Sequence, residues 1–242
     1  VESIKIYIDF ISLINLNPNI KKINLVLNQI NIEQIKQISI TFKPSNFTSF
    51  INNKIKQGKL SAKIEVYLDN NNLLDNFIAR GTVSNLKAEI TKDLNLEKTN
   101  FSFFADKSDI LLKNIFSKTE IFQISDGDLR LKLSSNIEVN SNFKANLKYD
   151  KKINNYTNLI KDYKHLNNLA SLEADLNNNF TINFDETYKV KKYNYSSSGK
   201  ILKANFSFEK PLDNYFLNDK INQLSFIDTE IKINSNLQKN SS

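Results

Sequence analysis

The chain has 242 residues, of which 33 are basic and 26 acidic, giving a formal net charge of +7 at pH 7. Apolar residues make up 40% and charged residues 24%, a composition typical of a folded globular protein rather than of a disordered or membrane-embedded chain. Cysteine is absent from the sequence, which excludes a disulfide framework, a thiolate metal site and a cysteine nucleophile.

The start of the sequence predicts a fragment. The chain begins at Val1 and contains no methionine, so we expect an internal piece or a processed product of a larger protein. No run approaches the roughly 18 apolar residues that span a bilayer, and no secretory signal opens the chain. Any membrane anchor or signal is therefore expected upstream of Val1.

Apolar and polar residues alternate with a period of two along most of the chain. Clear examples are residues 4–10, residues 60–68 and the long stretch 139–149. Because successive side chains of a strand point to opposite faces, each stretch predicts a strand with one apolar and one polar face. Many such one-sided strands predict an all-β fold with mainly antiparallel pairing.

Turns and helices are predicted between the strands. Polar clusters predict turns at residues 69–72, 125–128, 177–179 and 196–199. Apolar residues at three- and four-residue spacing predict one or two short amphipathic helices, at 153–169 and at 45–57. Ser45 is the expected N-cap of the second helix and Gly58 its stop. We expect a single elongated segment over residues 1–242, with a helical insertion at 153–170.

Residues typical of catalysis or metal binding are few. His165 is the only histidine, so the sequence offers neither a histidine metal site nor a nucleophile-elbow triad. Asp126 and Asp128 flank a glycine but lack the ligand spacing of an EF-hand. We therefore expect no enzymatic activity, no cofactor and no metal.

The basic residues are scattered rather than gathered into one patch. Arg80 and Arg130 are the only arginines, and arginine is the side chain that reads guanine and binds phosphate through two hydrogen bonds. We interpret the lysines as a solvated face and expect no nucleic-acid partner. Weak attraction to anionic lipid headgroups stays open.

The apolar strand faces can be covered in two ways. They can pack on each other as a sandwich or a closed barrel, which is what periodicity alone favours. They can also line an open trough that holds acyl chains, where each buried methylene contributes about 0.8 kcal/mol. The 17 phenylalanines and the many isoleucines suit such a lining, because acyl chains need no hydrogen-bond partner.

The order of motifs favours the trough. In sequence the motifs are GTVSNL at 81–86, NFSF at 100–103, DGDL at 126–129, the strand 139–149, and the pair 180–184 and 188–190. This order resembles the AsmA-like family of bacterial envelope proteins, the TamB/YhdP group, over about residues 77–208. The N-terminal membrane helix of that family is not in this sequence.

The resemblance implies a membrane-anchored protein of the Gram-negative cell envelope whose bulk lies in the periplasm. It implies an elongated curved sheet that forms a repeating β-groove and shields phospholipid acyl chains between the inner and outer membranes. This activity would contribute to outer-membrane biogenesis, with other envelope proteins as partners and with membrane attachment through a segment absent from this chain. No catalytic residue carries over.

The resemblance places the lipid-binding face on the apolar positions of the alternating stretches. In the first half these are Ile4, Ile6, Ile8, Leu25, Leu27, Ile38, Ile40, Phe42, Leu60, Ile64, Val66, Leu68, Phe77 and Val83. In the second half they are Leu129, Leu131, Leu133, Val139, Phe143, Leu147, Phe180, Ile182, Phe184, Phe206 and Phe208. The alternative function is a structural or adhesive all-β domain of the cell surface, with a closed core and a binding surface in Asn-rich loops.

Overall fold

A computed structural model describes residues 1–16, 18–34, 52–91, 94–133, 137–151, 167–185, 189–214 and 219–238. These residues form one antiparallel sheet of eleven strands, in which each strand pairs with the next along the chain. The strands are β1 (Ser3–Ile8), β2 (Ile20–Asn31), β3 (Ile55–Leu68), β4 (Leu74–Thr91), β5 (Leu94–Asp106), β6 (Asp109–Lys118), β7 (Phe122–Leu133), β8 (Ile137–Asp150), β9 (Leu169–Phe184), β10 (Val190–Asn214) and β11 (Asp219–Gln238). A one-turn helix, α1 (Phe10–Ile14), joins β1 to β2 and is capped by Asp9.

The sheet is open and curved, with β1 and β11 as its two edges. Extensive contacts between the described elements join neighbouring strands only, so no second layer of described strands packs on either face. The chain exposes 17097 Å² of surface at a mass of 27.9 kDa. A compact monomer of that mass would expose about 11,000 Å². The prediction of an all-β, mainly antiparallel, open curved sheet is confirmed.

The strand register defines the two faces of the sheet, because directly paired residues of neighbouring strands point the same way. One row of paired residues crosses ten strands: Ile4, Leu25, Ile64, Ala79, Ala105, Ile110, Leu131, Val139, Ile182 and Tyr193. We call these residues the apolar row, the face that carries them the apolar face, and the opposite side the polar face.

A line of β-bulges keeps apolar residues on the apolar face where strict alternation would turn them away. The bulged residues are Gln29, Asn85, Lys98, Asn114 and Asp126, with φ angles from 45° to 54°. Each lies at a shift in the register between two strands. An extra residue on one strand bends it and increases its twist, so bulges on five strands contribute to the curvature of the sheet.

Three predicted turns are wrong, because their polar clusters lie inside strands. Residues 125–128 belong to β7, residues 177–179 to β9 and residues 196–199 to β10. Asn and Ser clusters tolerate turns, but here cross-strand pairing on both sides outweighs local preference. The turn at 69–72 is confirmed, with Asn72 at a φ of 59°.

The helix predictions also change. Residues 45–51 of the helix predicted at 45–57, with the expected N-cap Ser45, lie outside the described residues. The predicted end of this helix is wrong, because Ile55 opens β3 and Gly58 lies within that strand. The helix predicted at 153–169 falls almost entirely on residues 152–166, outside the described residues, and Leu169 is the first residue of β9. The predicted strand with Ile38, Ile40 and Phe42 also lies outside the described residues.

Replacing Asn85 tests whether its bulge supports the sheet. The left-handed conformation is tolerated by Asn and Gly but costs a β-branched residue about 1–2 kcal/mol. We expect Asn85→Val to lower the free energy of unfolding by about that amount and Asn85→Gly to leave it nearly unchanged, as measured by urea denaturation. Thr82→Val, at an ordinary exposed strand position, is the control. Equal stability of the two Asn85 variants would contradict the role of this bulge.

Candidate functional site

The candidate site is the apolar face. The described members of the predicted lipid-binding set all lie on it, and many are direct partners across strands. Such pairs are Leu25 with Ile64, Val66 with Phe77, Leu60 with Val83, and Leu131 with Val139, which in turn pairs with Ile182. The register therefore assembles residues from distant parts of the sequence into one continuous apolar surface.

Exposure of this surface increases towards the edges of the sheet. Away from the edge strands, Ile64, Leu131 and Val139 are half-buried. On the edge strand β1, Ile4 keeps 58% of its surface exposed and Ile6 keeps 55%. A contiguous apolar surface of this kind on a water-exposed protein is typical of a binding site for an apolar partner.

One end of the apolar face packs into a small core. Ile32, Val83 and Leu86 are buried there, and half-buried apolar side chains from β3 and β5 pack against them. Phe101 and Phe103 of β5 belong to this cluster. Beyond it, small side chains such as Ala174 and Ala204 are buried by their larger neighbours, each with 2% of its surface exposed.

Aromatic contacts occur further along the face. The rings of Phe143 and Phe180 meet edge to face with their centroids 6.3 Å apart, and Phe206 and Phe226 do the same at 6.0 Å. This is a favourable geometry for aromatic pairs, because the positive edge of one ring meets the negative face of the other. The contacts fix the rings of the predicted residues within the apolar face.

A few polar side chains lie within the apolar face and are mostly satisfied. The hydroxyls of Thr99 and Ser117 are 2.5 Å apart and both residues are buried. The buried Asn178 accepts a hydrogen bond of 2.8 Å from the Tyr195 hydroxyl. The Ser197 hydroxyl is buried without a hydrogen-bond partner among the described residues. The turn predictions at 177–179 and 196–199 hid Asn178 and Ser197 from the sequence analysis.

Sequence analysis also missed the apolar residues of β5 and β6. Phe101 pairs with Val83 of β4, and Ile110 and Leu112 pair with Leu131 and Leu129 of β7, so these residues and Phe103 lie on the apolar face. Lys98 and Asn114 are bulged on these two strands and interrupt the alternation. The signal that could have predicted a strand here is the short alternation of Phe101, Phe103 and Ala105.

The polar face carries ion pairs between neighbouring strands. Lys22 donates a hydrogen bond of 2.5 Å to Glu65, and Arg130 donates two, of 3.1 and 3.0 Å, to Asp109. The Lys22 ammonium group lowers the pKa of Glu65, and Glu65 raises the pKa of Lys22. Pairs that remain partly open to solvent each contribute little to stability. Both pairs lie on the polar face.

Neither a metal site nor a transmembrane helix is found in the part of the chain that the structure describes. These residues contain no group of three or more side chains arranged to hold a metal ion. None of their helices has the length and apolar character that crossing a bilayer requires. His165 lies outside the described residues.

Comparisons with family models, with curated proteins and with solved structures find no match to this chain. The membership of the AsmA-like family and the periplasmic location therefore stay predictions from the sequence. The geometry of the apolar face is the observation on which a function can be argued.

The carboxylates of the polar face predict a loss of stability in acid. Lys22 lowers the pKa of Glu65, and hydrogen bonds from Asn140 and Asn183 lower the pKa of Glu138. A carboxylate with a lowered pKa in the folded state stabilises the fold above its unfolded pKa, and this contribution is lost as the pH falls through the folded value. We expect the urea concentration at the unfolding midpoint to decrease as the pH is lowered below 4.5, the ordinary pKa of glutamate. The Glu65→Gln variant should show a smaller fall, and an identical pH profile would contradict the assignment.

Proposed function

We propose that this chain is a lipid-handling segment that shields phospholipid acyl chains on its apolar face. It works in the periplasm of a Gram-negative envelope, anchored to the inner membrane through a segment outside this chain. Its role is to help phospholipids move between the inner and outer membranes during outer-membrane biogenesis. The observation that carries the proposal is the apolar row, which crosses ten strands of a sheet that stays open.

The physical basis is the burial of hydrocarbon without any need for polar partners. The apolar row contains no charged side chain, and its one hydroxyl is that of Tyr193. Burial of ten methylenes would contribute about 8 kcal/mol before the loss of chain freedom is subtracted. A charged headgroup gains nothing on this surface and remains in water, so the face selects the acyl part of the lipid.

The length of the row suits a chain-like ligand. Nine steps between neighbouring strands, at about 4.8 Å each, give a path of about 43 Å across the sheet. Along this path an acyl chain can exchange one set of aliphatic neighbours for the next without crossing a polar barrier. Such a surface supports movement of a lipid as well as its storage, because no single position holds it by a specific contact.

The alternative function, a structural or adhesive domain of the cell surface, needs the apolar faces to be sealed in a closed core. The described strands form one open layer instead, which favours the lipid-handling function. Neither function involves catalysis, and envelope proteins remain the expected protein partners.

Photocrosslinking tests the proposal. The probe is a phosphatidylethanolamine with a diazirine group on its acyl chain. Ile64→Glu places a carboxylate at the third of the ten positions of the apolar row, where an acyl chain cannot solvate it. We expect at least a fivefold loss of crosslinking, which corresponds to about 1 kcal/mol of binding free energy.

Thr82→Glu is the matched control, because it adds the same charge on the adjacent strand but on the polar face. It should crosslink like the unaltered chain. Circular dichroism shows whether each variant keeps its sheet, and Leu131→Gln replaces Ile64→Glu if the latter does not fold. Crosslinking that is unaffected by a folded apolar-face variant, or equally reduced by Thr82→Glu, would refute the proposal.

A further inference from the structure

The polar face of β8–β11 carries a regular array of uncharged amides and hydroxyls. Two rows of directly paired residues form it: Asn140, Thr181, Asn194 and Asn236 in one, and Asn142, Asn179, Ser196 and Asn234 in the other. We call these eight residues the amide grid. Neighbouring strands are about 4.8 Å apart and same-face residues of one strand about 6.8 Å apart, so the grid repeats in two directions.

Most hydrogen-bonding groups of the grid are free to bind a ligand. Thr181 donates a hydrogen bond of 2.7 Å to Asn140, which donates one of 2.6 Å to Glu138. Asn142, Asn179 and Asn194 are exposed, and their side chains make no hydrogen bond to another described residue. Each carboxamide offers two donors and an acceptor oxygen, so the grid presents both kinds of group side by side.

Two adjoining cavities lie over this part of the sheet and form one groove. Their volumes are about 720 Å³ and about 310 Å³, and both are lined by Asn179 and Thr181. The larger cavity extends across β7 and β6 to Phe104 of β5, whose side chain is 41% exposed. From β5 to β11 the groove crosses six interstrand steps, about 29 Å in all.

The charges in the groove disfavour an anionic ligand. Its two cationic side chains are already paired, Arg130 with Asp109 and Lys113 with Asp128. Asp106 adds a third carboxylate, and hydrogen bonds from the backbone of the following turn lower its pKa and hold it ionised. The lining therefore carries a small negative excess, which repels phosphate groups and leaves neutral groups as the ligands that fit.

We propose that this groove binds a neutral oligosaccharide. Sugar hydroxyls both donate and accept hydrogen bonds, as carboxamides do, and a linear oligosaccharide presents them repeatedly along its length. The exposed ring of Phe104 offers an apolar surface for the C–H side of a sugar at one end of the groove. The amide grid lies on the face opposite the apolar row, so a sugar on the grid and an acyl chain on the row would contact different sets of side chains.

Binding of three neutral hexasaccharides tests this inference: maltohexaose, cellohexaose and chitohexaose. Titration of the isotope-labelled chain, followed through the side-chain amide signals in NMR spectra, should give saturable shifts with at least one of them. The double variant Asn179→Ala/Asn194→Ala removes two sets of hydrogen bonds and should weaken binding about tenfold. Phe104→Ala should weaken it about threefold.

Gln223→Ala is the matched control, because Gln223 is an exposed amide of the polar face of β11 outside the groove. Ile64→Glu should retain oligosaccharide binding, and the double variant Asn179→Ala/Asn194→Ala should retain lipid crosslinking. The failure of one proposal can then be distinguished from the failure of the other. Absence of saturable binding by all three hexasaccharides at millimolar concentration would overturn the inference. Displacement of the bound sugar by inorganic phosphate, or equal weakening by Gln223→Ala, would overturn it as well.

Discussion

The structure depends on one constraint, the register of antiparallel pairing that carries an apolar residue onto an apolar partner at each step. In a sheet, a slip of a single residue moves every side chain of a strand to the other face. Here the register holds from Ile4 on the first strand to Tyr193 on the tenth. It holds because bulges such as those at Asn85 and Asp126 absorb the extra residues that would otherwise reverse the faces. The open sheet, its two chemically different faces and both proposed binding surfaces follow from this alignment.

The two faces of the sheet interact with water in opposite ways. The apolar face leaves hydrocarbon in contact with water, an arrangement that is unfavourable unless a ligand covers it. The polar face carries ion pairs from β2 to β11, such as Lys22–Glu65 and Lys200–Asp228, and it also carries the uncharged amide grid on β8–β11. With the proposed lipid on the apolar face and the proposed sugar on the amide grid, the sheet would hold an apolar and a hydrated ligand on opposite sides.

Much of this architecture can be predicted from the sequence, because strand alternation is a local signal. Stretches such as 60–68 and 139–149 form strands as expected and place Ile64 and Val139 on the expected face. The failures share one cause, which is that pairing partners are not visible in a single strand. Residues 177–179 look like a turn in isolation, yet β8 and β10 pair with them on both sides. The bulges have no reliable sequence signal, since Lys98 occupies the same backbone conformation as Asn85. The bulges at Lys98 and Asn114 interrupt the alternation of β5 and β6, so the sequence did not predict the apolar residues of these strands. The amide grid could not be predicted either, because it is defined only by the pairing of the strands.

The central claim is that the apolar row is accessible to acyl chains in solution. Isoleucine methyl NMR in the presence of a phospholipid with a doxyl spin label on its acyl chain tests it most directly. Ile227 provides an internal reference, because it lies on the polar face and is 67% exposed. If the apolar row is accessible, the methyl signals of Ile64, Ile110 and Ile182 broaden strongly, while that of Ile227 is nearly unchanged. Broadening of Ile227 without effect on the three residues of the apolar row would contradict it.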